Sequence, residues 1–456
     1  MKPTMLSTIS AWLDLPAPAT DTEIRGVVAD SRRITPGDLF VALAGERVDG
    51  HDFLDQASEQ GASAAVVARP VSSALPQLQV ADPLAALGSI ARRLAEGRRS
   101  RVLALTGSNG KTTVKTLLHA ILLRVGAAYC NPGNHNNELG MPLALIAQPE
   151  DADFAVYEMG AGQPGDIEYL AEIARPEVAL VNNIGPAHLE RMGSLLGIAE
   201  TKGAIYRALQ PGGVAVINAD DAFAPWFESE QVKQGVKVLR FALQANADFR
   251  AEQIELAEFS SRFQIRCPAG TAAVELPLPG RHNVSNALAA AAMAHAVGAP
   301  LSAIVEGLSA SQPVAGRQQS FALPAGGQLI DDSYNANPAS VGAAIERLAA
   351  YRGTRWLVLG DMRELGPDSR ELHRSVGLQA KRAGLQRLWS VGEDMAEAVT
   401  AFGEGGRHFA DQTSLIEALR PALSADAVVL VKGSRGSRME RVVDALLGRG
   451  EDGHAA

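Results

Sequence analysis

The sequence predicts an α/β protein built of three domains. Its 456 residues are three times the length of a typical domain of about 150 residues. Short apolar runs alternate with stretches of helical periodicity along most of the chain, which is typical of parallel sheets covered by helices. The pattern changes near residue 80 and again near residue 312. The expected domains are therefore residues 1–80, 81–312 and 313–456.

The composition excludes several classes of protein. Hydrophobic residues make up 46% of the chain and charged residues 20%, which suits folded domains with sizeable cores. The net charge of −9 argues against nucleic acid as a partner, because phosphate backbones bind positive surfaces. The two cysteines, Cys130 and Cys267, argue against a disulfide scaffold and a structural zinc site. Without a signal peptide or an apolar stretch of about 20 residues, we expect a cytoplasmic protein that does not insert into membranes.

The first domain is predicted to be a small α/β unit. Brief apolar runs at residues 27–29, 39–43 and 64–68 are separated by a Pro-Gly pair and by a polar loop, as in short strands joined by turns. This region contains no GxGxxG sequence, so a dinucleotide-binding fingerprint is not expected there.

The central domain is predicted to contain a P-loop-type parallel sheet with helices on both faces. Residues 102–105 form a continuous apolar run, and apolar residues then recur at helical spacing from Val114 to Val125. Alternation over residues 240–278 predicts an antiparallel hairpin at the edge of the sheet. Further strand-like runs lie at residues 154–157, 178–181 and 214–217.

The third domain is predicted to be a Rossmann-like α/β unit. It begins after Gln312-Pro313, and its strand-like runs are again separated by helical stretches. These runs lie at residues 356–359, 388–391 and 427–431.

The strongest local signal for function is a glycine-rich turn between the first central strand and its helix. Glycines let successive backbone N–H groups converge on a phosphate, and the helix N-terminus adds its positive end. Lys111 is placed to reach terminal phosphates, and the Thr112 hydroxyl to bind Mg²⁺. Leu105 replaces the first glycine of the general GxxxxGK[ST] pattern, and an ordinary strand-to-helix turn is the alternative. The residues of this phosphate loop are Gly107, Ser108, Asn109, Gly110, Lys111, Thr112 and Thr113.

Three other ionisable residues of the central domain are candidates, and two of them have two interpretations each. Glu158 ends a predicted strand at the sheet edge that carries the phosphate loop, where it is a Mg²⁺ ligand or a solvated carboxylate. His188 follows another strand to the same edge and is a metal ligand or a structural residue. Lys202, from its spacing alone, is a charge on a helix surface.

Two later segments are rich in polar side chains. His282, Asn283 and Asn286 open an Ala-rich helix, where they suit the edges of a purine base or cap the helix. Arg317 is a candidate to neutralise a phosphate, and Asp332 to accept hydrogen bonds from a ribose. The Asn-Ala-Asn-Pro segment at residues 335–338, taken alone, predicts a turn.

Together these segments, in their order along the chain, resemble the Mur ligase family of ATP-dependent enzymes that add amino acids to the peptidoglycan precursor. The resemblance implies that residues 107–113 bind ATP. It also places Lys202 at the position that the family carbamoylates. A carbamate supplies the anionic oxygen that Mg²⁺ needs, whereas an amine does not. The implied ligands of two Mg²⁺ ions are Thr112, Glu158, His188 and Lys202. The implied catalytic residues are Lys111, Glu158, His188 and carbamoylated Lys202, and the further ATP contacts are His282, Asn283, Asn286, Arg317 and Asp332.

Within the family, the sequence is most similar to the branch whose substrates are UDP-N-acetylmuramoyl-tripeptide and D-alanyl-D-alanine. The motifs that carry this similarity include 30–32, 49–53, 134–140, 334–338 and 360–366. The resemblance places the UDP-substrate near Ser31, Arg32, Asp49, Gly50, His51, Asn134, Asn136 and Asn137. It places the incoming dipeptide near Tyr334, Asn335 and Asn337. We expect a monomer.

Other functions remain open at this point. A sibling Mur ligase that adds the third amino acid is the nearest alternative, although its usual Asp-Asn-Pro-Arg string is absent. Folylpolyglutamate synthases share the ATP-binding core but lack the uridine-binding first domain. A nucleotide-gated binding module and a simple kinase would need the phosphate loop without the second, amine substrate.

Overall fold

The computed structural model describes residues 1–45, 48–324 and 326–449 and folds them into three α/β domains. The elements of the first are β1 (Thr4–Met5), α1 (Leu6–Trp12), β2 (Glu23–Ile24), β3 (Gly26–Val28), β4 (Asp38–Val41), α2 (Leu54–Glu59), β5 (Ala64–Val67), β6 (Gln77–Gln79) and α3 (Pro83–Glu96). Strands β3, β4, β5 and β6 form a parallel sheet in that order, and β1 pairs antiparallel with β2. The three predicted strand runs lie at β3, β4 and β5.

The second domain is built on a nine-stranded sheet in the order β15-β14-β13-β12-β11-β10-β7-β9-β8. Its elements are β7 (Arg101–Thr106), α4 (Lys111–Leu122), β8 (Ala128–Cys130), α5 (Gly140–Ile146), β9 (Phe154–Glu158), α6 (Asp166–Ala174), β10 (Val178–Val181), α7 (Leu189–Met192), α8 (Leu195–Arg207), β11 (Val214–Asn218), α9 (Ala224–Lys233), β12 (Lys237–Ala242), β13 (Phe249–Leu256), β14 (Ser261–Cys267), β15 (Gly270–Leu276), α10 (Arg281–Ala296) and α11 (Leu301–Ser309). Strands β7 to β13 are parallel. The hairpin of β14 and β15 is antiparallel and lies at the edge, as predicted.

Successive residues of the central strands face opposite layers of helices. Leu103 and Leu105 of β7 pack with α4 and α10, whereas Ala104 packs with the layer that contains α6 and α8. Both faces of these central strands are therefore covered by helices and shielded from water. This explains why these strands appear in the sequence as continuous apolar runs and show no alternation.

Helix α3 joins the first sheet to the central one. The Asp82 side chain caps its start by accepting hydrogen bonds from the backbone N–H groups of Leu84 (2.8 Å) and Ala85 (3.2 Å), and Pro83 occupies the first turn. The helix then packs against β4 and β5 on one side and α5 and α6 on the other. The apolar core consequently runs from the first domain into the central one.

The third domain is built on a six-stranded sheet in the order β16-β17-β21-β18-β19-β20, in which the edge strand β16 is antiparallel and the others are parallel. Its elements are β16 (Gln319–Ala322), β17 (Gln328–Asp332), α12 (Pro338–Ala349), β18 (Thr354–Leu359), α13 (Ser369–Arg382), β19 (Arg387–Val391), α14 (Met395–Phe402), β20 (Gly406–Phe409), α15 (Gln412–Ala422), β21 (Ala427–Lys432) and α16 (Glu440–Leu447). Helices cover both faces, which confirms the Rossmann-like prediction. No helix in the described ranges is long and apolar enough to cross a membrane.

Candidate active site

The phosphate loop connects the end of β7 to the start of α4. Gly107 and Gly110 adopt positive φ angles of 151° and 78°. A side chain at Gly110 would collide with its neighbours, since a Cβ atom there would lie 2.4 Å from Asn286 Oδ1. The loop is thus shaped for close approach of backbone N–H groups to an anion, at the positive end of a twelve-residue helix.

Lys111 lies at the mouth of this loop. Its Nζ donates a hydrogen bond of 2.8 Å to the Gly107 carbonyl. Desolvation lowers the pKa of Lys111; the Glu158 carboxylate opposes this effect, and the Arg317 guanidinium adds to it. Two cations and one carboxylate therefore surround the place where terminal phosphates would lie.

Glu158 ends β9 as predicted, but it is buried, with 2% of its surface exposed, and is not a solvated strand end. Its Oε2 accepts a hydrogen bond from Thr112 Oγ1 at 2.8 Å, and its Oε1 accepts one from Asn136 Nδ2 at 2.9 Å. Burial raises the pKa of Glu158, but the charges of Lys115, Lys111 and Arg317 outweigh it and hold that pKa below its ordinary value. Glu158 is therefore an ionised carboxylate inside the protein.

The interpretation of Lys202 as a surface charge is wrong. The residue lies on α8 with 1% of its surface exposed. Within the described part of the chain, its ammonium has no hydrogen bond or ion pair. Burial, with a smaller contribution from Lys111, lowers the pKa of Lys202 well below its ordinary value. The side chain is thus a buried amine that favours its neutral form.

His188 connects the central and third domains. It adopts a left-handed conformation with φ of 57°, and its Nδ1 contacts a carboxylate oxygen of Glu364. A hydrogen bond of 3.4 Å from the backbone N–H of Glu190 to the Glu364 carbonyl supports the same contact. Burial lowers the pKa of His188, whereas the Glu364 carboxylate raises it.

One cavity of about 680 Å³ lies between the central and third domains and gathers most of the predicted residues. The predicted residues that line it are Ser108, Asn109, Gly110, Lys111, Thr113, Asn136, Asn137, Glu158, His188, His282, Asn283, Asn286, Arg317, Asp332, Tyr334, Asn335 and Asn337. Those that do not line it are Gly107, Thr112, Lys202, Asn134, Ser31, Arg32, Asp49, Gly50 and His51. Thr112 still reaches the cavity wall through its hydrogen bond to Glu158.

The start of α10 forms one wall of the cavity. The N-cap position is Gly280, and no side chain caps this helix, so the capping interpretation of Asn283 and Asn286 is wrong. Asn286 Oδ1 instead accepts a hydrogen bond of 3.0 Å from Asn182 Nδ2 beside the phosphate loop. Burial lowers the pKa of His282 to about 4, so its imidazole is neutral at neutral pH.

The third domain contributes Arg317, which lies just before β16, together with the end of β17 and the loop that follows it. The guanidinium of Arg317 lies 4.2 Å from the centre of the Tyr334 ring. Asp332 Oδ2 accepts a hydrogen bond of 2.8 Å from Lys432 Nζ. The turn lies at residues 333–334, before the segment 335–338 for which it was predicted. In that segment Asn337 instead caps α12: its Oδ1 accepts a hydrogen bond of 2.9 Å from the backbone N–H of Ser340.

The first-domain residues lie outside the cavity. His51 is buried, and both of its ring nitrogens have protein partners: Asp49 Oδ1 lies 2.6 Å from Nδ1, and Nε2 accepts a hydrogen bond of 2.9 Å from the backbone N–H of Ala68. Arg32 is largely exposed and pairs with Asp30 at 2.7 Å. His51 therefore shapes its loop and has no ring nitrogen free to bind a ligand.

The sequence analysis missed Lys432, which lines the cavity, and three residues that contact its walls or the phosphate loop, namely Asn182, Glu364 and Lys115. Lys432 ends the apolar run of β21, as Glu158 ends that of β9, and this position was the available signal. Asn182 follows β10 in the same way. Glu364 lies in a loop, and Lys115 lies on α4, so no strand-end position indicated them.

The donors at the phosphate loop fit Mg²⁺. The Thr112 hydroxyl and the Glu158 carboxylate are hard oxygen ligands 2.8 Å apart. In the ranges that the structure describes, no three His, Cys, Asp or Glu side chains form a group that could hold a metal ion. A Mg²⁺ ion here would therefore need phosphate or water oxygens to complete its coordination, as is common at nucleotide sites.

Known proteins resemble this chain over nearly its whole length. Three family models match it: "Mur ligase family, catalytic domain" at residues 23–94, "Mur ligase middle domain" at 105–294 and "Mur ligase, glutamate ligase domain" at 316–435. The chain is 45% identical to UDP-N-acetylmuramoyl-tripeptide–D-alanyl-D-alanine ligase of Escherichia coli, over 97% of this chain and 98% of that one. It is 34% identical to the Bacillus subtilis enzyme of the same name, over 93% and 94%.

The fold agrees with these similarities. The crystal structure of MurF from Acinetobacter baumannii superposes with a TM-score of 0.92 at 34% identity, covering 98% of this chain and 100% of that one. MurF ligase from Thermotoga maritima in complex with ADP superposes with a TM-score of 0.83 at 28% identity, covering 93% and 97%. The resemblance expected from the motifs is confirmed, and the chain belongs to the Mur ligase family.

Proposed function

We propose that this chain joins D-alanyl-D-alanine to the terminal carboxylate of UDP-N-acetylmuramoyl-tripeptide with cleavage of ATP to ADP and phosphate, in the cytoplasmic synthesis of the peptidoglycan precursor. The observation that carries the proposal is the single cavity in which the phosphate loop, Glu158 and the loop after β17 meet. The names of the Escherichia coli and Bacillus subtilis relatives supply the substrate class.

The first step transfers the γ-phosphoryl group of ATP to the tripeptide carboxylate. A new P–O bond forms on the carboxylate oxygen, the bond to the β-phosphate breaks, and the products are an acyl phosphate and ADP. Both reactants are anions, so positive charge must offset their repulsion. Lys111 and Arg317 supply it from opposite domains, and both influence the Glu158 carboxylate electrostatically.

Two Mg²⁺ ions would supply further positive charge at the transferring phosphoryl group. Thr112 and Glu158 would hold one of these ions. His188, Lys202 and Glu158 would hold the second. The chain's own part is to present an ionised, buried carboxylate and to orient His188 through Glu364.

Carbamoylation would make Lys202 an anionic ligand. A neutral amine can attack CO₂, forming an N–C bond with loss of one proton, and a carbamate results. The burial of Lys202, the lack of a partner for its amine in the described chain and its lowered pKa all favour the neutral form that this reaction needs.

In the second step, the amine of D-alanyl-D-alanine attacks the acyl carbon, and phosphate leaves from a tetrahedral intermediate. We assign the dipeptide side to the loop of Tyr334, Asn335 and Asn337, because it borders the cavity from the third domain. An acyl phosphate is readily hydrolysed, so closure of the third domain over the cavity would also exclude water.

The remaining assignments divide the chain by task. We assign the adenine side to His282, Asn283 and Asn286 and the ribose to Asp332. Residues 1–80 would bind the UDP moiety, 81–312 ATP, and 313–456 the dipeptide while closing on ATP. The UDP-substrate side includes Ser31, Arg32, Asp49, Gly50, His51, Asn134, Asn136 and Asn137, with His51 acting through the shape of its loop. The chain would work as a monomer.

Phosphate release from ATP tests the proposal. We expect turnover with UDP-N-acetylmuramoyl-tripeptide and D-alanyl-D-alanine together, and little with either alone. Turnover with a single amino acid in place of the dipeptide would indicate a sibling ligase. Consumption of ATP without an amine substrate would indicate a kinase, and binding without turnover would indicate a nucleotide-gated module.

A further inference from the structure

Lys115 is a buried lysine that the proposed reaction does not use. It lies on α4 one turn after Lys111, with 4% of its surface exposed. Its Nζ donates hydrogen bonds to the carbonyls of Asn131 (2.9 Å) and Gly133 (3.0 Å), and it lies 3.4 Å from Glu158 Oε2. Two of the three donors of its ammonium group are therefore taken by backbone carbonyls, and the group also forms an ion pair with Glu158. Lys115 does not line the cavity, unlike Lys111.

The carbonyls that Lys115 binds belong to a loop that is also tied to Glu158. Asn131 Oδ1 accepts a hydrogen bond of 2.9 Å from the backbone N–H of Glu158, and Asn131 Nδ2 donates one of 3.0 Å to its carbonyl. Further along the loop, Asn136 Nδ2 donates to Glu158 Oε1 at 2.9 Å. The backbone N–H of Gly160 donates to the Asn136 carbonyl at 2.7 Å. The loop and the end of β9 thus form one rigid unit.

This unit borders the cavity. Asn136, Asn137 and Glu138 line it beside Glu158, while the two carbonyls held by Lys115 lie behind them. A buried ammonium within 3.4 Å of a buried carboxylate is costly to remove, because the carboxylate would then lose its nearest buried counter-charge. Lys115 is therefore placed to fix both the carboxylate and the loop.

We propose that Lys115 is a positioning residue that holds Glu158 and the loop of residues 131–138 in the arrangement that receives the UDP-linked peptide. The inference rests on the proposed function, since that function places this loop beside the UDP-substrate. Lys115 acts through the carbonyls of Asn131 and Gly133 and through Glu158, without touching substrate or nucleotide.

This role has a signature that a general folding defect lacks. Loss of Lys115 would loosen the loop and weaken binding of the UDP-peptide. The same loss would remove a positive charge 3.4 Å from Glu158, which favours a cation at that carboxylate. Binding of Mg²⁺-ADP should therefore be unchanged or tighter, whereas a misfolded site would bind both ligands poorly.

Isothermal titration calorimetry on the full chain tests the inference with the variants Lys115→Met and Lys115→Gln. We expect Lys115→Met to bind UDP-N-acetylmuramoyl-tripeptide about tenfold more weakly, with and without a non-hydrolysable ATP analogue, and Mg²⁺-ADP within about twofold of the original chain or tighter. Lys115→Gln keeps an amide donor for a loop carbonyl. Its affinity for the UDP-linked peptide should therefore lie between those of the original chain and of Lys115→Met. Lys233→Met, at an exposed lysine of α9, is the matched control and should leave the affinities for both ligands unchanged.

Two outcomes would overturn the inference: unchanged UDP-peptide binding in Lys115→Met, or equal weakening of UDP-peptide and Mg²⁺-ADP. If Lys115→Met does not fold, as judged by circular dichroism, Lys115→Gln takes its place. Its affinities for the UDP-peptide and for Mg²⁺-ADP, each compared with those of the original chain, then decide the question. An original chain that binds Mg²⁺-ADP but not the UDP-peptide would contradict the proposed function, and this inference with it.

Discussion

Asn337 of the third domain donates a hydrogen bond of 2.8 Å from its side-chain Nδ2 to Oδ1 of Asn109 in the phosphate loop. The two residues are 228 positions apart in sequence. Asn337 also caps α12, and Asn109 is held by Asn183, whose Oδ1 accepts the Asn109 backbone N–H at 2.8 Å. The loop assigned to the dipeptide is therefore bonded directly to the loop assigned to ATP.

The substitution Asn337→Asp separates these two tasks of Asn337. Aspartate caps a helix as well as asparagine, but it cannot donate to Asn109 and places a negative charge beside an amide oxygen. We expect kcat/KM for D-alanyl-D-alanine to fall about tenfold, the equivalent of a hydrogen bond of about 1.4 kcal/mol, with the unfolding temperature unchanged. Asn337→Ala, which also loses the helix cap, should lower both kcat/KM and the unfolding temperature. Normal kinetics in Asn337→Asp would show that the contact does not contribute.

The substitution Lys202→Ala tests the carbamate. We expect most turnover to be lost, because the neutral methyl side chain cannot supply an anionic oxygen to a Mg²⁺ ion. Formate or acetate should restore part of the activity, because its carboxylate can occupy the space of the missing carbamate. The measurement is phosphate release with increasing formate, and Lys233→Ala serves as the surface control. Near-normal activity in Lys202→Ala would remove the carbamate from the mechanism.

The contact between His188 and Glu364 predicts a role in domain closure. Glu364→Gln keeps the size of the side chain but removes its charge, so the link between the domains weakens. Both side chains are partly exposed, with 32% and 39% accessible, so we expect a modest effect of about 1 kcal/mol, or about fivefold in kcat. Small-angle scattering should show a smaller radius of gyration in the original chain when an ATP analogue and substrates are added. An unchanged radius in the original chain would contradict closure.

The pKa of His282, about 4 in the folded chain, predicts a pH-dependent stability. An unfolded histidine has a pKa near 6.5, so between about pH 4 and pH 6.5 the unfolded state binds more protons than the folded one. Stability contributed by His282 is therefore full above about pH 6.5 and falls as the pH falls toward 4, by up to about 3 kcal/mol. Thermal unfolding at pH 7 and pH 5 should show a smaller difference in His282→Gln than in the original chain. Equal differences would mean that burial of this imidazole has no energetic consequence.

The sequence predicted the location of residues that directly follow or end a buried strand. Glu158 and the phosphate loop follow buried strands of a parallel sheet, and the carboxyl ends of such strands meet at one edge. The edge hairpin followed from periodicity in the same way, whereas the count of three domains followed from the length of the chain. The strand ends and the hairpin are local in sequence, which is why pattern alone was sufficient.

Periodicity in the sequence could not predict the surroundings of residues that are set by tertiary contacts. Lys115 lies beside the apolar stripe of α4, and nothing in the spacing shows that the loop of Asn131 folds over it. Lys202 has the spacing of an exposed helix charge, yet it is buried. Glu364 reaches His188 from another domain. Each depends on which surfaces pack together, information that helical or strand periodicity does not contain.

The position of β21 has a consequence for synthesis on the ribosome. This strand occupies the middle of the third sheet, between β17 and β18, and the Lys432 that closes it bonds Asp332, 100 residues earlier. Until residues 427–432 emerge, β17 and β18 have no strand between them, and their facing edges can pair with other nascent chains. A premature stop codon before residue 427 would therefore yield a product with two domains able to fold and a third with open edges that invite aggregation.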